Sequence, residues 1–195
     1  MTPMRSPIIW INGPFGVGKT HTAHTLHERL PGSFVFEPEE MGQALRKLTP
    51  GFSGDPQEHP MWIPLMLDAL QYASREAAGP LIVPVSISDT ARHRRLMSGL
   101  KDRGLSVHHF TLIAPLNVVL ERLRRDGQPQ VNVGTVEDRL NELRGEQFQT
   151  HIDTAGLGTQ QVAEQIAAQV GLTLAPPPQG ALHWLRGALG RRREN

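Results

Sequence analysis

Gly13-Pro14-Phe15-Gly16-Val17-Gly18-Lys19-Thr20 is the one stretch of this 195-residue chain in which residue type and spacing already spell out a chemistry. Glycines at these spacings let the backbone wrap an anion with several amides turned inward. The lysine adds a mobile cation, and the threonine hydroxyl suits a divalent metal. The pattern is that of a phosphate-binding loop. Gly13, Phe15, Gly16, Val17, Gly18, Lys19 and Thr20 are therefore the expected contacts with the phosphates of ATP, and Thr20 is an expected Mg²⁺ ligand. The chain has three lysines against seventeen arginines, so Lys19 is not simply one of many.

A phosphate loop alone does not separate a kinase from a GTPase, a motor or a nucleotide sensor. No N-K-x-D guanine motif is present, and the chain is short for a motor core. Glu121-Arg122-Leu123-Arg124-Arg125 runs into a Gly/Pro-containing break, followed by a helix carrying Arg139 and Arg144. Kinases of small molecules use such a helix–flap–helix as a lid whose arginines neutralise the transferring phosphoryl group and exclude water. A lid over about 126–138 is expected, with Arg122, Arg125 and Arg139 as its cations; the alternative is a solvated amphipathic helix pair. Glu37 ends a strand beside the loop, where ligands collect in such sheets. It is the expected base or acceptor-positioning residue, against a capping or salt-bridge role. Asp89 follows another strand and serves either Mg²⁺ through a water or the next helix as its N-cap. His21, His24 and His27 recur every three residues, a spacing that drifts around a helix and does not converge on one metal. His108 and His109, on adjacent strand positions, face opposite sides.

The elements that must position these residues alternate strand and helix, which argues a parallel sheet covered by helices on both faces. Strands are expected over Ile8–Asn12, Ser33–Glu37, Leu81–Val85, Val107–Ala114 and His151–Asp153. Pro84 is expected to cost the third strand a ladder bond near its end. Helices are expected over Thr20–Leu30, Met41–Leu48 (with Glu39 and Glu40 opening it after Pro38), Trp62–Ala78, Thr90–Arg103, Leu116–Arg125, from near Thr135, and over Gln160–Val170. The expected fold is a three-layer α/β P-loop NTPase domain over residues 1–174, with a five-stranded parallel sheet ordered 2-3-1-4-5 and a small lid. Phe52–Leu67 is where acceptor specificity is expected.

Residues 175–195 are expected to form a Pro-rich linker and a basic amphipathic C-terminal helix, in which Leu182, Leu185 and Leu189 would share a stripe away from Arg191-Arg192-Arg193. Such a helix either lies on an anionic membrane or docks on protein. A net charge of +1 gives no field for nucleic acid, and the absence of cysteine removes disulfides and thiolate metal sites. Met1–Trp10 lacks the apolar run of a secretory signal, so a cytoplasmic location is expected, with peripheral membrane contact open. Oligomeric state is not legible.

Five stretches carry a resemblance: I-I-W-I-N-G-P-F-G-V-G-K-T-H-T-A (8–23), E-P-E-E-M-G-Q-A-L-R (37–46), L-I-V-P-V (81–85), V-H-H-F-T-L (107–112) and H-I-D-T (151–154). They resemble the tunicamycin-resistance (TmrB-like) family of P-loop phosphotransferases across nearly the whole core. The resemblance implies ATP binding and a nucleoside-kinase-like fold, similar to chloramphenicol phosphotransferase, adenylate kinase and gluconate kinase. It also implies a link to tunicamycin, a lipid-linked uridine sugar antibiotic, and a C-terminal helix able to touch membrane. By the same resemblance, Glu37 stands at the acidic position that meets the acceptor in related kinases. Asp153 and Thr154, with Ala155–Leu157, stand where those kinases hold the adenine ring. The expected function is an ATP- and Mg²⁺-dependent phosphotransferase on a hydroxyl of a small molecule, tunicamycin among the candidates. The alternative is an ATP-binding protein that sequesters tunicamycin without phosphoryl transfer.

Overall fold

The first strand, β1 (Ile8–Asn12), is buried along its whole length, so its alternating side chains must find a core on each face. Ile9 and Ile11 pack with Leu26, Val119, Leu140 and Ile166, while Ile8 and Trp10 pack with Trp62, Leu70 and Leu96. The computed structural model describes residues 6–127, 130 and 132–177. In chain order these form β1, α1 (Lys19–Arg29), β2 (Phe34–Val35), α2 (Pro38–Leu48), α3 (Trp62–Glu76), β3 (Leu81–Pro84), α4 (Thr90–Asp102), β4 (Val107–Ile113), α5 (Leu116–Arg125), α6 (Val133–Leu143), β5 (His151–Asp153) and α7 (Thr159–Gln169). The five strands are all parallel and lie in the order β2-β3-β1-β4-β5, the α/β order expected of the chain. Leu26 (α1), Val119 (α5), Leu140 (α6) and Ile166 (α7) line one face of the sheet, and Leu70 (α3) and Leu96 (α4) the other. This is the three-layer arrangement that a buried central strand requires.

Two boundaries, those of β2 and α6, differ from the sequence expectation for a local reason, and the ladder bond that Pro84 is expected to cost falls on the β2 side of β3. β2 closes at Val35 because Pro38 opens α2, with Glu37 as its N-cap and Glu39 and Glu40 in the first turn. α6 begins at Val133 because the Asn132 side chain caps it, accepting from the Thr135 amide at 3.2 Å. Pro84 does not weaken the pairing of β3 with β1, which runs through Ile11 and Pro84 to the Val85 amide on the Ile11 carbonyl (2.9 Å). Strand alternation turns its missing N–H toward β2, whose register with β3 stops at Val35 and Ile82.

The chain leaves α7 and returns to the far end of α1. There the Ala175 amide donates to the Arg29 carbonyl (2.8 Å), and Arg29 Nε donates back to the Ala175 carbonyl (2.8 Å). Arg29 is buried and also pairs with Glu164 (2.8 Å). The 11 residues of α1 span about 16 Å, so Ala175 sits at the end of α1 opposite the phosphate loop. That helix itself lies outside the described residues. Among those described, no helix is long and apolar enough to cross a membrane.

Candidate active site

β1 delivers the chain to the loop, and a buried polar residue fixes its end. Asn12, fully buried, donates from Nδ2 to the Ile87 carbonyl (2.8 Å), and its Oδ1 accepts from the amides of Ile87 and Gly13 (both 2.9 Å). It thereby ties the loop to the segment after β3, which carries Ser86, Ser88 and Asp89. Gly13 and Gly16 have φ of +152° and +77°. A Cβ at Gly13 would stand 2.7 Å from the Leu112 carbonyl oxygen, and one at Gly16 would stand 2.7 Å from Leu123 Cγ. Both positions need glycine for conformation and for space.

The loop fits a phosphate chain. Among the described residues, the amides of Phe15, Gly16, Val17 and Gly18 make no hydrogen bond, so four donors stand ready at the N-terminus of α1. Lys19 is buried, and its Nζ donates to the Pro14 carbonyl (2.8 Å). Burial lowers its pKa to about 8 against the opposing pull of Glu39, with the Arg139 charge lowering it further. A buried amine with one carbonyl partner is poised for an anion. The exposed Thr20 hydroxyl, in the first turn of α1, makes no hydrogen bond among the described residues and suits Mg²⁺.

α6 approaches the loop at Phe15. Arg139 of α6 lies 5.4 Å from the Phe15 ring centroid, and Lys19 Nζ lies 5.5 Å from it. The other two arginines are placed differently. Arg122 donates to the Thr154 carbonyl (2.7 Å), the Thr154 hydroxyl (2.9 Å) and the Val17 carbonyl (3.3 Å), fastening α5 to the back of the loop. Arg125 is exposed and paired with Glu121 on its own helix. Thr154 is buried, and Asp153 caps the following turn by accepting from the Ala155 amide (2.8 Å). Arg122→Ala is expected to cost about 2 kcal/mol, since it leaves two carbonyls short of partners. A thermal melt should show Tm lower by roughly 4–8 °C; an unchanged Tm would mean that Arg122 does not fasten the loop.

A cavity of about 500 Å³ opens beside the loop. Of the residues expected from sequence, it brings together Phe15, Arg139 and Asp89. Asp89 also caps α4, accepting from the Arg92 amide (2.6 Å). Gly13, Gly16, Val17, Gly18, Lys19, Thr20, Glu37, Arg122, Arg125, Asp153 and Thr154 are not in the lining, so the loop borders the cavity through Phe15. Glu37 instead pairs with His24 Nε2 (3.2 Å) on α1. His24 lies one helical turn after Thr20, so this carboxylate sits on the same face of α1 as Thr20. Sequence reasoning missed the wall that α2 presents: Glu39, Gly42, Gln43 and Arg46. The i, i+3, i+4, i+7 spacing directly after β2 is the signal that marks it. The segment expected to hold specificity supplies Asp55, Pro56, Gln57 and Trp62 to the lining.

The histidines serve packing. His27 Nδ1 meets the Ser33 hydroxyl (3.0 Å). His109 stacks on His93 with ring centroids 4.7 Å apart, and burial first, then the neighbouring His93 and His151, lower its pKa to about 3.

A match to the AAA domain family spans residues 8–148. The solved structure of the Deinococcus radiodurans tunicamycin resistance protein is 95% identical, with a TM-score of 0.80; the match covers 88% of this chain and 100% of that one. The chain belongs to the tunicamycin resistance proteins, within the AAA domain family. Solved kinases share the architecture of this tunicamycin resistance family member. A gluconokinase from Sinorhizobium meliloti 1021 is 15% identical with a TM-score of 0.62, over 97% of this chain and 98% of its own. An APS kinase from Mycobacterium tuberculosis, in complex with AMPPNP and APS, is 16% identical with a TM-score of 0.56, over 87% and 99%. At such identities the likeness is one of fold: a P-loop, kinase-like α/β domain. No curated protein sequence matches the chain.

Proposed function

We propose that this protein is an ATP-dependent phosphotransferase that acts on a hydroxyl of a small molecule and is linked to tunicamycin resistance. One observation carries the reading: a phosphate loop with free amides and a buried lysine borders a cavity that also presents a carboxylate, Glu39, whose field reaches Lys19. A hydrolase or sensor needs the loop but not an acceptor chamber beside it.

In this reading the amides of Phe15, Gly16, Val17 and Gly18 cradle the phosphates, and Lys19 leaves the Pro14 carbonyl to bridge the β and γ phosphates. Asp153 and Thr154 border the adenine. Mg²⁺, held by Thr20 with Asp89 or Glu37 reached through water, would neutralise charge between the β and γ phosphates. Glu39 takes the proton of the acceptor hydroxyl as its oxygen bonds to the γ-phosphorus; the bond to the bridging β–γ oxygen breaks and ADP leaves. Arg139 closes from α6 over that phosphorus, with Arg125 at the lid's hinge, and Arg122 positions the loop. Glu39 takes the acceptor role expected of Glu37 because α2 turns the later carboxylate into the cavity.

Mass spectrometry of tunicamycin after incubation with the protein and Mg·ATP tests the reading. A gain of one phosphate, lost in Glu39→Gln by about 10²- to 10⁴-fold in rate with ATP affinity retained, supports it. Tight binding of unmodified drug favours sequestration. An equal loss in Glu37→Gln and none in Glu39→Gln would return the acceptor role to Glu37.

A further inference from the structure

β1 and β3 part company at their ends. After β1 the chain turns into the phosphate loop and α1 on one face of the sheet; after β3 it turns into α4 on the other. Ligands collect in the crevice that such a divergence opens. The β1–β3 ladder ends where the Val85 amide meets the Ile11 carbonyl (2.9 Å). Beyond that point side-chain amides take over, and their bonds run in one direction. Arg92 Nη1 donates to Gln57 Oε1 (3.3 Å), and Gln57 Nε2 donates to the Ser86 carbonyl (3.1 Å). The N–H of that same peptide group, on Ile87, donates to Asn12 Oδ1 (2.9 Å), and Asn12 Nδ2 donates to the Ile87 carbonyl (2.8 Å). The Asn12 oxygen also takes the amide of Gly13, the first residue of the loop. Amides joined head to tail polarise one another, so each bond strengthens the next.

Both side chains are firmly seated. Asn12 is fully buried. Gln57 lies in a one-turn helix, Pro56–Glu58, whose Asp55 cap accepts from the Gln57 amide (2.9 Å). Pro56 packs on Gly42 of α2, where a Cβ would stand 3.0 Å from the Pro56 Cβ. The chain of bonds therefore starts on the cavity's walls, at α2 and the first turn of α4, and ends on the loop. Phosphates on the amides of Phe15 to Gly18 fix the loop backbone, and with it the Gly13 amide that Asn12 holds.

Resting on the phosphotransferase reading above, we propose that Asn12 and Gln57 are positioning residues: with the Ser86–Ile87 peptide they form a relay through which an occupied phosphate loop sets residues 85–92, Asp89 and Arg92 among them. The cavity's wall is then in place for transfer when the donor is bound. Both residues act through that wall and not on the reacting atoms.

The test is amide hydrogen exchange of the full chain, read by mass spectrometry with and without Mg·AMPPNP, whose affinity calorimetry measures. In the wild type the nucleotide is expected to slow exchange about tenfold or more both over 13–22 and over 85–92. Gln57→Ala cuts the relay at a half-buried turn. Asn12→Asp still accepts from both amides but sets an oxygen against the Ile87 carbonyl. Each variant is expected to bind Mg·AMPPNP with affinity close to wild type and to keep the loop's protection while losing that of 85–92. A merely structural role would instead raise exchange over 85–92 equally with and without nucleotide, and that result overturns the relay. Protection of the loop alone in the wild type, or protection of 85–92 that survives in either variant, also overturns it and leaves the phosphotransferase reading standing. Mg·AMPPNP that does not bind the wild type overturns both.

Discussion

Lys19→Met is expected to lower ATP turnover by about 10³-fold while leaving the protein as stable as before, or more so. Lys19 is buried with a single carbonyl partner, and burial brings its pKa from 10.5 to about 8. The unfolded chain therefore holds the Lys19 proton more tightly than the folded one. The difference opposes folding by about 3 kcal/mol at neutral pH. The sign fixes the pH window: the penalty is whole below pH 8, fades as pH rises and is gone above about 10.5, the unfolded value. Methionine keeps the chain's packing beside Phe15 and removes the penalty. Thermal melts of both proteins at neutral pH, set beside turnover, check this. Normal turnover by the variant would remove Lys19 from the chemistry, and a collapsed melt would make it a structural residue. The phosphates should also restore the Lys19 charge, so ATP binding in the wild-type protein is expected to take up a proton between pH 8 and 10. Calorimetry in buffers of different ionisation enthalpy reads that uptake.

Arg139→Ala is expected to reduce kcat by about 10²- to 10³-fold with Tm moved by less than roughly 2 °C. Arg139 is half-buried at the cavity edge, 5.4 Å from the Phe15 ring, and holds no ion pair among the described residues. Its charge faces Lys19 closely enough to lower that amine's pKa. Two cations near one another, with Arg139 bound to no carboxylate among the described residues, suit a phosphate. A steady-state comparison with wild type separates the cases. Unchanged kcat with a lowered Tm would make Arg139 a packing residue. Arg122→Ala gives the contrasting pattern, because its guanidinium is already spent on the Val17 and Thr154 oxygens.

The fold was legible because its signals are local. An apolar run, a glycine loop and a helix follow one another at β1 and α1, and strand–helix alternation then leaves few parallel orders to choose from. The phosphate-loop part of the candidate site was legible for the same reason, since Gly13 to Thr20 form one contiguous loop. The acceptor side was not. Glu37 and Glu39 are two residues apart, and which one enters the cavity depends on where strand geometry gives way to helix; β2 ends at Val35, two residues short of Glu37, and Glu37 becomes the N-cap of α2. Asn12 shows only as a polar end to an apolar strand, while its partner Ile87 lies 75 residues away. The arginine-rich segment at 121–125 announced charge but not its direction. Helix phase sends Arg122 to the back of the loop and leaves Arg125 on the surface beside Glu121.

The most direct measurement of phosphoryl transfer uses ATP carrying heavy oxygen in its γ-phosphoryl group. The protein, Mg²⁺ and this ATP are incubated with a deproteinised bacterial metabolite extract supplemented with tunicamycin, and mass spectrometry follows the label. The account predicts a labelled small-molecule phosphate ester that forms with wild-type protein and not with Lys19→Met. Label found only in ATP and inorganic phosphate would contradict it.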